Sequence, residues 1–152
     1  MSTTQLRRDV ALYYATHDGQ ARRIAEHISR RLAQSDIVAL PADAAVPPPA
    51  AELAAAGVVV LIAAVRYGKH LPAAEHFLGL YRSLAARPPL ALASVNLTAR
   101  KPEKTTATGN AYLRKTIARH GLTPALATAS PGGSTISAIA GATARSSASS
   151  CC

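Results

Sequence analysis

The unbroken apolar run Val58–Val65 narrows the fold more than any other part of the chain. It is β-branched at its start and has neither helical nor alternating periodicity. Such a run reads as a strand buried on both faces, and strands of that kind belong to parallel sheets covered by helices. Val10–Tyr14 and Leu90–Val95 are shorter runs of the same type, and Thr123–Thr128 begins a further strand. Between them lie helical patterns. Over Gln20–Ala33, residues Ile24, Ala25, Ile28 and Leu32 recur among Arg22, Arg23, Glu26, Arg30 and Arg31. Pro72–Ala85 puts Phe77, Leu80, Tyr81 and Leu84 on one side. Asn110–His120 carries Tyr112, Leu113 and Ile117, with Gly121 as C-cap. Ile37–Leu40 reads as a short second strand, and residues 41–51 as a connection in which Pro47–Pro49 argue against helix. Alternating strands and helices give an α/β fold with a parallel sheet.

Ligands of such sheets sit outside the carboxyl ends of the strands. The loops 15–20, 66–71 and 94–108 follow strand ends and hold most of the unusual chemistry. In the first, Thr16, His17, Asp18, Gly19 and Gln20 join a strand to a helix. A hydroxyl, a glycine and a helix N-terminus together suit an anion, because main-chain N–H groups point at the ligand. The same residues also serve an ordinary βα turn with Asp18 as helix cap. The loop alone leaves both open.

Charge and cysteines bound the partners. The 152 residues suit one domain, with 17 Lys and Arg against 8 Asp and Glu and a net charge of +9. That balance favours anionic partners such as phosphates, carboxylates or an acidic lipid surface. No basic run is long enough to indicate nucleic acid, and none is expected as a partner. A bias of the whole genome towards Ala and Arg would produce a similar composition. Cys151 and Cys152 are adjacent and form neither a disulfide framework nor a metal-ligand spacing. With no signal peptide and no apolar run of membrane-spanning length, a cytoplasmic protein is expected.

Three stretches together carry a family likeness. These are Thr16–Gln20 with Ile24-Ala25, then Arg66-Tyr67-Gly68, then Ser94–Lys104 with Tyr112, Arg114 and Lys115. In this order they resemble the flavodoxin-like, menaquinone-dependent protoporphyrinogen IX dehydrogenase (protoporphyrinogen oxidase) family, over roughly residues 9–128. The resemblance implies FMN as cofactor. It also implies oxidation of protoporphyrinogen IX to protoporphyrin IX in haem biosynthesis, with electrons passed to a membrane quinone. Thr16, His17, Asp18, Gly19 and Gln20 would hold the FMN phosphate, and Ser94, Val95, Asn96 and Leu97 would lie against the isoalloxazine ring. Arg66 to His70 would flank the other side of the ring, with Arg66, Tyr67 and Lys69 as candidate substrate contacts. Arg100 and Lys101 would lie within reach of porphyrin propionates or of an anionic membrane surface on the inner face of the cell membrane. No metal site and no acid–base dyad is apparent. His17, His70 and His120 titrate in the right range for proton carriers but read as surface or structural histidines. Ala21 stands where the family commonly has Thr, and Ile62 where Gly is common. A flavodoxin-like electron carrier and a truncated, non-functional remnant of the enzyme are the competing functions.

Two units are expected: an FMN-binding domain over 9–129 and a low-complexity, disordered tail over 130–152. Shifted by one base, codons for the tail permit the string IAGGLDYLRYRW, which resembles the family's own continuation. A frameshift near Ala129 is therefore expected. The fold is then flavodoxin-like, with helices on both faces of the sheet and its final strand and helix missing or disrupted. Such a chain should be poorly stable and weakly active, because uncovered apolar faces and bare strand edges invite aggregation.

Overall fold

The computed structural model describes residues 10–17, 19–34, 36–46, 48–66, 69–96, 106 and 109–130. Five strands form one parallel sheet. They are β1 (Val10–Ala15), β2 (Ala42–Asp43), β3 (Val58–Arg66), β5 (Leu90–Val95) and β6 (Leu126–Ser130), and β4 (Lys69–His70) pairs antiparallel with the end of β3. Spatial order is β2-β1-β3-β5-β6. The register sets Val10 against Val58 and Ala15 against Ala63, and on the other side Val59 against Leu90 and Ala64 against Val95. β6 follows with Leu126 against Ala91 and Ser130 against Val95. The strand expected to begin at Thr123 thus starts at Leu126 and runs to Ser130. The tail beyond it, 131–152, lies outside the described residues.

Four helices connect the strands: α1 (Gln20–Ala33), α2 (Ala50–Ala54), α3 (Pro72–Arg82) and α4 (Ala111–His120). β3 is central, and Val59–Ile62 are fully buried, as a strand covered on both faces must be. Alternation along the strands divides the core in two. On one face Leu12, Val60, Ile62 and Ala93 pack with Ile24, Ala25, Ile28 and Leu32 of α1. On the other, Tyr13, Val59, Leu61 and Leu92 pack with Leu53 of α2, Phe77, Leu78 and Tyr81 of α3, and Leu113 of α4. Each fully buried aliphatic side chain contributes roughly 1.5–3 kcal/mol over leaving it in water. The Tyr13 and Phe77 rings meet at 4.8 Å between centroids and 44°.

Three local expectations are corrected. Ile37–Leu40 makes no ladder; the second strand is Ala42–Asp43, paired with Tyr13 and Tyr14. Pro41 cannot donate to a ladder and disfavours compact backbone at Leu40, so pairing begins only after it. Leu40 is left 78% exposed. The connection 41–51 contains the start of α2: Pro49 is its N-cap, with φ −60° and ψ 142°, so the prolines precede the helix rather than break it. Finally, 66–70 is not wholly a loop, because Lys69 and His70 fold back on Arg66 and Val65.

The family departures sit in the core. Ala21 and Ile62 are both fully buried in the α1-side cluster, where Ile62 lies between Tyr14 and Ala93 on the neighbouring strands.

Candidate functional site

The registers place the carboxyl ends of β1, β3 and β5 along one edge of the sheet. From β1 the chain goes to β2 on one side, and it then returns to β3 on the other. Loops leaving β1 and β3 therefore diverge and open a crevice at this switch point.

The β1–α1 turn brings Thr16, His17, Gly19 and Gln20 together there. Gly19 is the N-cap of α1 with φ 92°, a conformation glycine adopts without cost, and a Cβ placed on it would meet nothing within 4 Å. Its N–H donates to Thr16 Oγ1 at 2.9 Å, which curls the loop back on itself. No side chain caps the helix at Gly19, and its first turn has no acid but two arginines, Arg22 and Arg23. Arg22 is paired within the helix with Glu26 Oε2 at 3.3 Å. The alternative cap by Asp18 falls on a residue outside the described set. A hydroxyl, an open glycine and the positive end of a four-turn helix form a donor set that fits a phosphate.

At the end of β5 the structure adds something the sequence did not disclose. Ser94, Asn96, Asn110, His70 and Thr116 are all buried and bonded to one another. Asn96 Nδ2 donates to Ser94 Oγ at 2.8 Å and to Asn110 Oδ1 at 3.3 Å, and Asn110 Nδ2 donates back to Asn96 Oδ1 at 2.9 Å. Asn110 is also the N-cap of α4, accepting from the Leu113 N–H at 3.2 Å. Ser94 Oγ lies 2.7 Å from His70 Nε2, and His70 Nδ1 lies 2.8 Å from Thr116 Oγ1. Burial drives the His70 pKa down to about 4, opposed by a smaller upward pull from Glu75 and assisted by the nearby positive charge of Arg119. His70 is thus a neutral, structural imidazole at ordinary pH.

Next to this chain, Glu75 Oε1 takes Arg119 Nη1 at 2.7 Å and His120 Nε2 at 3.0 Å. Partial burial pushes the Glu75 carboxyl up, but the hydrogen bonds from His120 and Arg119 outweigh it and hold the group below the usual carboxylate range. His17 is exposed at the first loop.

The remaining residues singled out from sequence divide as follows. Val95 ends β5 on the α1 face, Arg66 ends β3, and Lys69 is exposed on β4. Asp18, Tyr67, Leu97, Arg100 and Lys101 lie outside the described residues. The Ser94 side chain is fully buried and points towards α3 and α4, so what it offers a ligand is main chain. His70, read from sequence as a surface or structural histidine, is buried and structural here, while Asn110 and Thr116 are the members of the network that sequence reasoning did not single out. Of these only Asn110 carried a local signal, an Asn directly before an amphipathic run. Two grooves lie elsewhere. One of about 430 Å³ runs along the β1 edge between Leu12, Leu40 and Glu52, and another of about 450 Å³ is lined by Arg87, Pro88 and Gly121. Neither gathers the polar side chains described above. Among the described residues no His, Cys, Asp and Glu cluster could hold a metal, and no helix is long and apolar enough to cross a membrane.

Comparison with known proteins bears on the family and the fold. The flavodoxin domain family matches residues 11–144, which extends past Ala129. The chain is 35% identical over 115 residues to protoporphyrinogen IX dehydrogenase (quinone) of Leishmania major, covering 76% of this chain and 50% of that protein. It is 36% identical over 105 residues to the protein of the same name from Escherichia coli strain K12, covering 68% and 57%. The chain therefore spans about half the length of these curated relatives. Among solved structures, oxidised flavodoxin 1 from Bacillus cereus superposes with a TM-score of 0.59 at 15% identity, over 90% of this chain and 95% of that one. The rubredoxin oxygen:oxidoreductase of Desulfovibrio gigas gives 0.67 at 12% identity, over 92% and 36%. The parallel order β2-β1-β3-β5-β6, the phosphate-fitting turn after β1 and the match over residues 11–144 agree, and the chain belongs to the flavodoxin domain family, whose cofactor is FMN.

Proposed function

We propose that this chain oxidises protoporphyrinogen IX to protoporphyrin IX with FMN, passing the electrons to a membrane quinone in haem biosynthesis. The observation that carries the proposal is the 35–36% identity to two proteins named for that activity, in a chain whose fold is the matching one. Residues 9–129 form the FMN domain and 130–152 a low-complexity tail.

FMN, when bound, supplies the redox chemistry, taking hydrogen from the substrate and releasing electrons to the acceptor. The chain's own residues bind and orient. Thr16, His17, Asp18, Gly19 and Gln20 hold the phosphate with hydroxyl and main-chain donors. Main chain at Ser94–Leu97 lies along the ring system. Arg66, Tyr67 and Lys69, with Arg100 and Lys101, provide the cationic and aromatic surface for a tetrapyrrole bearing carboxylates. The basic charge of the chain suits a peripheral position on an anionic inner membrane surface, where a quinone is within reach.

The test supplies the FMN-reconstituted chain with protoporphyrinogen IX and a menaquinone under anaerobic conditions and follows porphyrin fluorescence. Quinone-dependent fluorescence growth above the FMN-free control is expected, and none would overturn the proposal. A second function is supported by the likeness to free-standing flavodoxins such as that of Bacillus cereus, whose chain is covered over 95%. It is electron carriage without a porphyrin site. Cycling with a flavodoxin reductase, in the absence of porphyrin turnover, would favour it. A chain that binds no FMN would be the non-functional remnant.

A further inference from the structure

We propose that His70 is a positioning residue, locking Asn96 at the carboxyl end of β5 by bridging Ser94 to Thr116. The inference rests on the FMN site proposed above, because that strand end is where the flavin ring would lie.

Asn96 Nδ2 donates to Ser94 Oγ, and His70 closes the chain from Ser94 Oγ to Thr116 Oγ1 in the middle of α4. Either neutral tautomer of the imidazole completes both bonds, because each hydroxyl can donate or accept. Three pieces of backbone are joined through one ring, the β3–β4 hairpin, β5 and the second turn of α4, and Asn96 extends the chain to the α4 N-cap, Asn110. Ser94 and Asn96 point to the same side of β5, two residues apart, so fixing both side chains fixes the peptides at 95 and 96 between them. The imidazole suits this task because it spans two hydroxyls that lie on opposite sides of its ring. An aliphatic side chain in its place would leave two buried hydroxyls without their partner.

His70 is 7% exposed, both ring nitrogens are occupied, and the charged groups that act on it are Glu75 of α3 and Arg119 of α4. Glu75 is itself engaged with Arg119 and His120.

The test uses the full chain and FMN. His70→Leu keeps the bulk and removes both bonds; flavin-fluorescence titration should show FMN affinity reduced by about tenfold. His70→Gln carries an amide to where Nε2 lies and should recover most of that affinity. His70→Asn reaches only towards Thr116 and should not. A merely structural role would lower the melting temperature without separating Gln from Asn. Equal affinity in those two variants, or a His70→Leu protein within about twofold of wild type, would overturn the proposal. Should His70→Leu fail to fold, Thr116→Val removes the far bond at constant shape and is expected to weaken FMN by roughly threefold; no change overturns it. The flavin-free protein provides a separate readout. The side-chain amide protons of Asn96 and Asn110 should exchange slowly in wild type and in His70→Gln, and rapidly in His70→Leu. Rapid exchange in wild type overturns the lock. Slow exchange in a wild-type chain that binds no FMN overturns the cofactor assignment instead and leaves the lock standing.

Discussion

Asn96 and Asn110 hold each other by their side-chain amides, with Asn110 Nδ2 on Asn96 Oδ1 at 2.9 Å and Asn96 Nδ2 on Asn110 Oδ1 at 3.3 Å. The pair closes a gap of fourteen residues and joins the end of β5 to the start of α4. Asn110→Ala removes this pairing and the α4 cap together. A loss of about 2 kcal/mol in unfolding free energy is expected, read from urea melts. Asn110→Ser, which can still cap, should lose less.

Acid should destabilise the fold in two overlapping ranges, an upper one set by His70 and a lower one set by Glu75. The His70 pKa is lowered from 6.5 to about 4, so between those values the unfolded chain binds more protons than the native one. Stability therefore falls as pH drops through that window, by on the order of 3 kcal/mol. Glu75 is also depressed, so its contribution is present above its ordinary carboxylate pKa and is lost at lower pH still. Melting curves of His70→Gln and Glu75→Gln from pH 8 to 3 should flatten the upper and lower ranges respectively.

Gly19→Ala places a Cβ on a residue with φ 92°. There is space for the methyl group, so strain alone is expected to cost about 1–2 kcal/mol. If the turn then relaxes away from this conformation, the Thr16 bond to the Gly19 N–H goes with it. FMN affinity should fall more than the melting temperature would suggest, which titration and calorimetry on one preparation would reveal.

Lys69 is exposed on β4, beside the proposed substrate surface. Lys69→Glu should raise KM for protoporphyrinogen IX several-fold through charge reversal, a larger change than in FMN affinity. Steady-state kinetics at low and moderate salt would check this, because the effect should shrink as salt screens the charge.

Much of the architecture can be read from the chain. Val58–Val65 requires a central strand, and Ile24, Ala25, Ile28 and Leu32 require a helix over one face of it; both form where the pattern puts them. Gly121 caps α4 at φ 59°, as glycine after an amphipathic run suggests. Ile37–Leu40 misleads because apolarity alone does not make a ladder, and Pro41 decides where pairing begins. The turn between β1 and α1 was legible because its residues are consecutive. The polar chain behind β5 was not, because Ser94, His70 and Thr116 are brought together only by the tertiary fold, and no periodicity records which face of the sheet a lone histidine will enter.

The chain of hydrogen bonds from Thr116 to Asn110 also bears on how the sequence can drift. Most of the polar atoms of its five members are spent on one another. A single replacement leaves a neighbour stranded in the interior, whereas a paired or wholesale replacement by apolar residues does not. In homologues that diverge from this one, positions 70, 94, 96, 110 and 116 should therefore change together or stay as they are.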